Sequence, residues 1–160
     1  MYQIGIKSRY NFTNNCKTIL DDYSWWISLV MQICKVANNF EIRCWKGETD
    51  TIDMGKRFGN PIENLTTNEL VFKGRITDEF QKEVTTNYLT DDNCLKWFTL
   101  IAYRDEIMLF MSEHYGTEAH LLNVSSDEIS NVKSWIEQFS SIEIVHIDEM
   151  NEDDDVCENK

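Results

Sequence analysis

The stretch LKWFTLIAY-RDE-IMLFMS-EHYGTE-AHLLNV, Leu95 to Val124, decides the fold. Two runs rich in aromatic and branched residues, Leu95 to Tyr103 and Ile107 to Ser112, flank Arg104-Asp105-Glu106, a polar break of hairpin length. A third run, Ala119 to Val124, follows the turn signal Tyr115-Gly116. The spacing predicts an antiparallel meander of three strands.

Working outward from it, Ser125-Ser126-Asp127-Glu128 reads as the start of a helix that carries Ile129, Val132, Trp135, Ile136 and Phe139 on one face. Ile142 to Ile147 alternates as a closing strand. On the other side, a helix is predicted from about Asp21 to Asn39, with Asp21 and Asp22 at its positive end and Trp26, Leu29, Val30, Ile33, Cys34 and Ala37 at helical spacing. Phe40 to Lys46 alternates as a strand. Gly47 to Thr67, with its glycines and Pro61, reads as a long connection holding a short strand at Ile52 to Lys56. Leu70 to Ile76 resumes a strand, with a bulge at Gly74, and Thr77 opens a short helix through about Asn87. This order argues an α+β fold, a mainly antiparallel sheet covered on one face by two principal helices, the first and the last. Residues 1–148 read as one domain and 149–160 as a disordered acidic tail.

The chain has 160 residues, with 28 Asp and Glu against 15 Lys and Arg, a formal charge of −13. From Asp148 onward there are seven acids and one base, so the end of the chain carries −6 and the rest −7. With 42% hydrophobic and 12% aromatic residues, a core forms without disulfides. The cations are scattered, which argues against direct nucleic-acid binding, since phosphate must be met by clustered Lys and Arg. No apolar run approaches the roughly 18–20 residues that span a bilayer, and MYQIGIKSRYNF lacks the basic and apolar regions of a leader. The five cysteines are odd in number and include no C-x-x-C pair, so reduced thiols in a cytoplasmic protein are expected.

The densest group of chemically able side chains is SEHYGTEAH, holding Glu113, His114, Glu118 and His120. On a hairpin these four stand near enough to share a cation, but adjacent strand residues face opposite ways, so Glu113 and His114 do not both ligate unless the turn twists them together, and no metal is expected. A hydrolase or nuclease using His114 and His120, either metal-dependent or with the pair as acid and base, remains an alternative, but phosphate chemistry needs cations where this segment offers carboxylates. No nucleophile elbow, phosphate loop, dinucleotide fingerprint or zinc-protease motif is present, so neither an enzyme nor a cofactor is expected. Asp21, Asp22, Asp127 and Glu128 are explained by helix N-termini. Asp91, Asp92, Asp105, Glu106, Glu113 and Glu118 have no such duty and are the expected contacts for a basic partner, with an aromatic such as Tyr88, Tyr103 or Tyr115 as anchor, Tyr115 being the one placed among the expected contacts. Asp105-Glu106 and Glu113-Glu118 fall at opposite ends of one strand, so an interface uses one end of the sheet, or its exposed face.

The order DDYSWWISL, FEIRCW, WFTLIAYRDEIMLFMSEH and SSDEISNVKSWIE, over roughly residues 20 to 148, resembles the small acidic immunity proteins of bacterial contact-dependent growth inhibition. The resemblance implies binding without catalysis to a cognate toxin domain, often a nuclease with a basic substrate channel. A general protein-interaction module unconnected with toxins is the other alternative.

Overall fold

The three strands of the meander form, the first opening four residues later than the pattern puts it, and they lie within a wider sheet than the pattern alone announces. The computed structural model describes residues 1–14, 17–63 and 68–150. In chain order its elements are β1 (Tyr2–Ser8), β2 (Tyr10–Phe12), β3 (Thr18–Leu20), α1 (Ser24–Ile33), β4 (Asn39–Trp45), α2 (Thr49–Phe58), β5 (Asn60–Ile62), β6 (Glu69–Arg75), α3 (Asp78–Thr86), β7 (Thr99–Arg104), β8 (Ile107–Glu113), a 3-10 turn (His114–Gly116), β9 (Glu118–Val124), α4 (Ile129–Ile136) and β10 (Ile142–Glu149). Eight strands pair in the order β10-β1-β9-β8-β7-β4-β6-β5, while β2 and β3 make a separate ribbon. Every pairing among the described strands is antiparallel.

Strand alternation gives this sheet two unlike faces. Ile4, Ile6, Phe40, Ile42, Leu100, Ala102, Phe110, Ala119 and Leu121 stand on one face and are buried in a single core. Four helices cover that face, rather than the two expected. From α1, Trp26 Nε1 donates to Ser112 Oγ at 2.9 Å; α2 lays Gly55 against the Phe72 ring; in α3, Phe80 stacks on Phe40 with centroids 3.9 Å apart. From α4, Ile136 enters the core and Trp135 Nε1 donates to Ser28 Oγ of α1. The reason is width: eight strands span about 34 Å at roughly 4.8 Å each, and two helices about 10 Å thick leave much of that bare. All of these helix contacts fall on the one face.

Several local expectations change. The first helix stops at Ile33 because Cys34 to Val36 turn, and Asn38 N–H already donates to Tyr103 O of the sheet. Asp22 does serve the helix start, accepting from both Ser24 N–H and Ser24 Oγ; burial opposes ionisation there, but these bonds and Ser141 outweigh it and lower the carboxyl pKa. At the start of α4, Glu128 likewise takes Ser125 N–H and Ser125 Oγ. Thr77 caps α3 as expected, its Oγ1 accepting from Phe80 N–H.

Residues 49–58 are a helix where a loop with a short strand was expected, and residues 95–98 precede β7 rather than opening it. Gly74 makes no bulge, since the β4–β6 register runs unbroken past it; a side chain there would meet the Phe58 carbonyl and the Phe40 ring. The closing strand continues through Glu149, one residue into the expected tail, and Met150 N–H donates to Met1 O. The rest of that tail, residues 151–160, lies outside the described residues. No described helix is long and apolar enough to cross a membrane.

Candidate functional site

At one end of the sheet the chain reverses between β8 and β9 through three consecutive left-handed residues, His114 (φ 50°), Tyr115 (φ 59°) and Gly116 (φ 83°). Gly116 is required there by its positive φ and by Leu20 and Leu95, each 3.1 Å from where a Cβ would stand. The reversal folds the Tyr115 ring back to 5.4 Å from Phe98, and His114 takes another edge of the same ring. Phe98 also meets Trp45, the last residue of β4, at 5.0 Å. Trp45 is 39% exposed, a large aromatic surface at the sheet's end.

Glu48, in the link between β4 and α2, ties this group together. One carboxylate oxygen accepts from Trp45 N–H at 2.8 Å and the other from Tyr115 OH at 2.7 Å. Burial, and then this bond, push the Tyr115 hydroxyl pKa upward. Beside it opens a cleft of about 450 Å³ whose lining includes Glu48, Asp50, Asp91, Asp92 and Tyr115 together with Lys17 and Lys96. Lys17 pairs with Asp92, which raises its pKa. Both side chains are about half exposed, so the pair adds little to stability.

Of the seven residues expected to meet a partner, the fold gathers five, Asp91, Asp92, Glu113, Tyr115 and Glu118, at this end. Asp105 and Glu106 sit at the other end of β8, in the hairpin from β7. Asp105 has the structural duty that sequence reading denied it. Its φ is 54°, its N–H donates to Asn38 Oδ1, and its carboxylate accepts from Asn38 Nδ2, both at 2.8 Å. It holds a turn; only Glu106 remains unassigned there.

Glu113 and Glu118 stand directly opposite each other across β8 and β9, an unfavourable like-charge pair. Each has an imidazole nearby: His120 Nε2 is 3.5 Å from Glu113 and His114 Nδ1 is 3.7 Å from Glu118. The two histidines thus serve different carboxylates. Among the described residues no three His, Cys, Asp or Glu converge to hold a metal ion. Burial makes poor nucleophiles of two cysteines, pushing the Cys34 thiol up to about 11 and the Cys44 thiol up to about 12.

Sequence reading did not assign Trp45, Phe98, Glu48 or Lys17 to this site. Trp45 carried a signal, since the alternation of FEIRCWK puts it on the same face as Glu41 and Arg43, away from Ile42 and Cys44. Glu48 carried none, because its role depends on a tyrosine 67 positions away.

On the helix-free face Glu41 is a buried charge that the site does not use. Its side chain, 3% exposed, accepts from Arg43 Nε at 2.6 Å and Tyr103 OH at 3.3 Å, with Lys73 Nζ at 3.0 Å. Burial opposes ionisation, but Lys73 and Arg43 outweigh it and depress the Glu41 pKa, while burial and Glu41 push Tyr103 up to about 12. Glu41→Gln is expected to cost about 1–3 kcal/mol at pH 7 in urea unfolding. The sign is that of a depressed carboxyl. Its stabilisation is complete above the unfolded value of about 4.3 and is lost as pH falls through the folded value, so wild type and variant converge below about pH 4. A gap unchanged at pH 2.5 would refute the assignment.

The fold and site together define an α+β protein whose one-sided sheet ends in an aromatic surface rimmed by carboxylates. No known protein family, curated protein or solved structure matches the chain.

Proposed function

We propose that the protein is an immunity protein that binds and neutralises a basic toxin domain, a nuclease by preference, acting by contact and not by catalysis. The observation that carries the reading is the gathering of Asp91, Asp92, Glu113 and Glu118 with Tyr115 and the exposed Trp45 at one end of the sheet. An aromatic anchor within a charged rim is how a tight interface is commonly built. Opposite charge then speeds encounter and selects the partner, which suits a protein that must capture toxin inside the cell that makes it. The cytoplasm is the compartment this reading requires. The hydrolase alternative finds less support, because His114 and His120 face separate carboxylates and the adjoining cleft has more acids than bases.

The test is co-purification with the C-terminal domain of a large secreted protein encoded next to this chain. A complex is expected at low salt, weakening roughly tenfold or more between about 50 and 300 mM NaCl. Removing Asn151 to Lys160 is expected to change the affinity less than about threefold, since the proposed contacts Asp91, Asp92, Glu113, Tyr115 and Glu118 all lie outside that segment of the sequence. Absence of a complex at low salt sinks the immunity reading.

A further inference from the structure

The two edges of the eight-stranded sheet are unlike. At one edge β5 has only three residues, Asn60–Ile62, and Pro61 in its middle has no N–H to offer, so little of this edge is open to a further strand. At the other edge β10 runs for eight residues, Ile142–Glu149, with no proline and no lysine, two devices that ordinarily blunt an edge.

The open groups on β10 follow from its pairing. Arg9 N–H donates to Ser141 O and Met150 N–H donates to Met1 O, so Ser141 and Met150 turn their main-chain groups toward the β1 side. Hydrogen-bonding direction alternates along an antiparallel strand. Counted in from both ends, Ile142, Ile144, Ile147 and Glu149 turn their N–H and C=O groups outward, and β10 pairs with no described strand other than β1. The two counts meet at a bulge: Gly5 pairs with His146 and Ile6 with Ile144, which leaves Val145 as the extra residue, 52% exposed. A bulge hinders edge pairing locally, but this one leaves two outward residues on each side.

The side chains of β10 select the kind of strand that fits beside it. On the helix-free face it carries Glu143 and Asp148, both exposed; on the covered face it carries Ile144 and Ile147, only partly buried at the rim of the core. The strand has three carboxylates and no Lys or Arg, and Lys7 of β1 lies opposite Glu143. Two copies joined through Ile144 and Ile147 would set Glu143 opposite Asp148, a like-charge pair that disfavours self-association.

We infer that the open edge of β10 takes an added antiparallel strand from a protein partner, a strand that alternates lysine or arginine with aliphatic residues. Main-chain bonds to Ile142, Ile144, Ile147 and Glu149 hold it, its cations stand beside Glu143 and Asp148, and its aliphatic side chains extend the core past Ile144 and Ile147. The inference goes beyond the immunity reading and does not depend on it. Five strand spacings, about 24 Å at roughly 4.8 Å each, separate β10 from β4 and Trp45, so the two surfaces are occupied separately.

The experiment titrates the full chain with an eight-residue peptide alternating lysine and valine, followed by amide signals in nuclear magnetic resonance. The signals of Ile142, Ile144, Ile147 and Glu149 are expected to shift, and their hydrogen exchange to slow by about tenfold or more. Methylating the peptide's valine nitrogens, which face β10, is expected to weaken binding at least about tenfold, whereas methylating its lysine nitrogens, which face away, changes it less than about threefold. A peptide alternating glutamate and valine is expected to bind at least about tenfold more weakly than the lysine peptide, and the double variant Glu143→Lys, Asp148→Lys to reverse that order. Equal loss from either methylation, equal binding of the two charge forms, or shifts lying away from β10 would overturn the inference. So would exchange already slow at these four amides in the free chain, the mark of an edge the chain itself occupies, or a dimer in sedimentation that the peptide dissociates.

Discussion

Replacing Trp26 by alanine is expected to lower the unfolding free energy by about 3–5 kcal/mol. Trp26 is completely buried, stacks on Trp97 with centroids 5.4 Å apart and planes 13° from parallel, and leans on Tyr88 at 6.5 Å. Truncation opens a cavity between α1 and the sheet. It also removes the indole N–H from Ser112 Oγ, a hydroxyl on a residue only 2% exposed. An orphaned polar atom adds to the cavity cost, and the sum takes a large share of the roughly 5–15 kcal/mol that typical domains have. Urea unfolding checks this through the midpoint, read at unchanged slope. Trp45→Ala is the comparison: at 39% exposure it is expected to cost less than about 1 kcal/mol. Equal losses at the two tryptophans would contradict the packing described for α1.

Trp26 also marks what was legible in the sequence. Its spacing with Leu29 and Val30 announced a buried helix face, and all three are buried. The meander, the Thr77 cap and the closing strand were equally local signals: each needs only a period or a capping residue within one segment. Helix α2 was not legible because its buried positions are Thr51, Met54 and Gly55, small or weakly apolar residues that set no stripe. Only Phe72, brought in by the sheet, makes Gly55 a contact and not a break.

Strand β1 did carry an alternation, Ile4 and Ile6 against Gln3, Gly5 and Lys7. Its place between β9 and β10 is a long-range pairing that no local pattern announces. The site divides in the same way. Carboxylates without a helix duty could be read from the chain, and five of the seven expected contacts share one end. Asp105 could not be read correctly, because its duty comes from Asn38, 67 positions away.

The double variant Glu113→Lys, Glu118→Lys is expected to weaken the complex with a basic toxin domain by about 100-fold or more, because like charge at a contact costs several kcal/mol. The fold itself is little changed by it. The two positions already oppose like charges across β8 and β9, and that repulsion persists with its sign reversed, while Glu118→Lys also sets a second ammonium opposite Lys7 of β1. All these groups are partly solvated, and an unfolding free energy within about 1 kcal/mol of wild type is expected in urea unfolding. The control is Glu106→Lys, which makes half that charge change at the opposite end of β8. Over the length of a seven-residue strand, about 23 Å and more than two screening lengths at physiological salt, its effect is expected to stay below about threefold. The contrast separates a local interface from overall charge. If the partner responds only to the net −13, the two variants lower affinity in proportion to the charge they change. If it docks at the Trp45 and Tyr115 end, the loss belongs to Glu113 and Glu118, chiefly through slower association and a weaker dependence on salt.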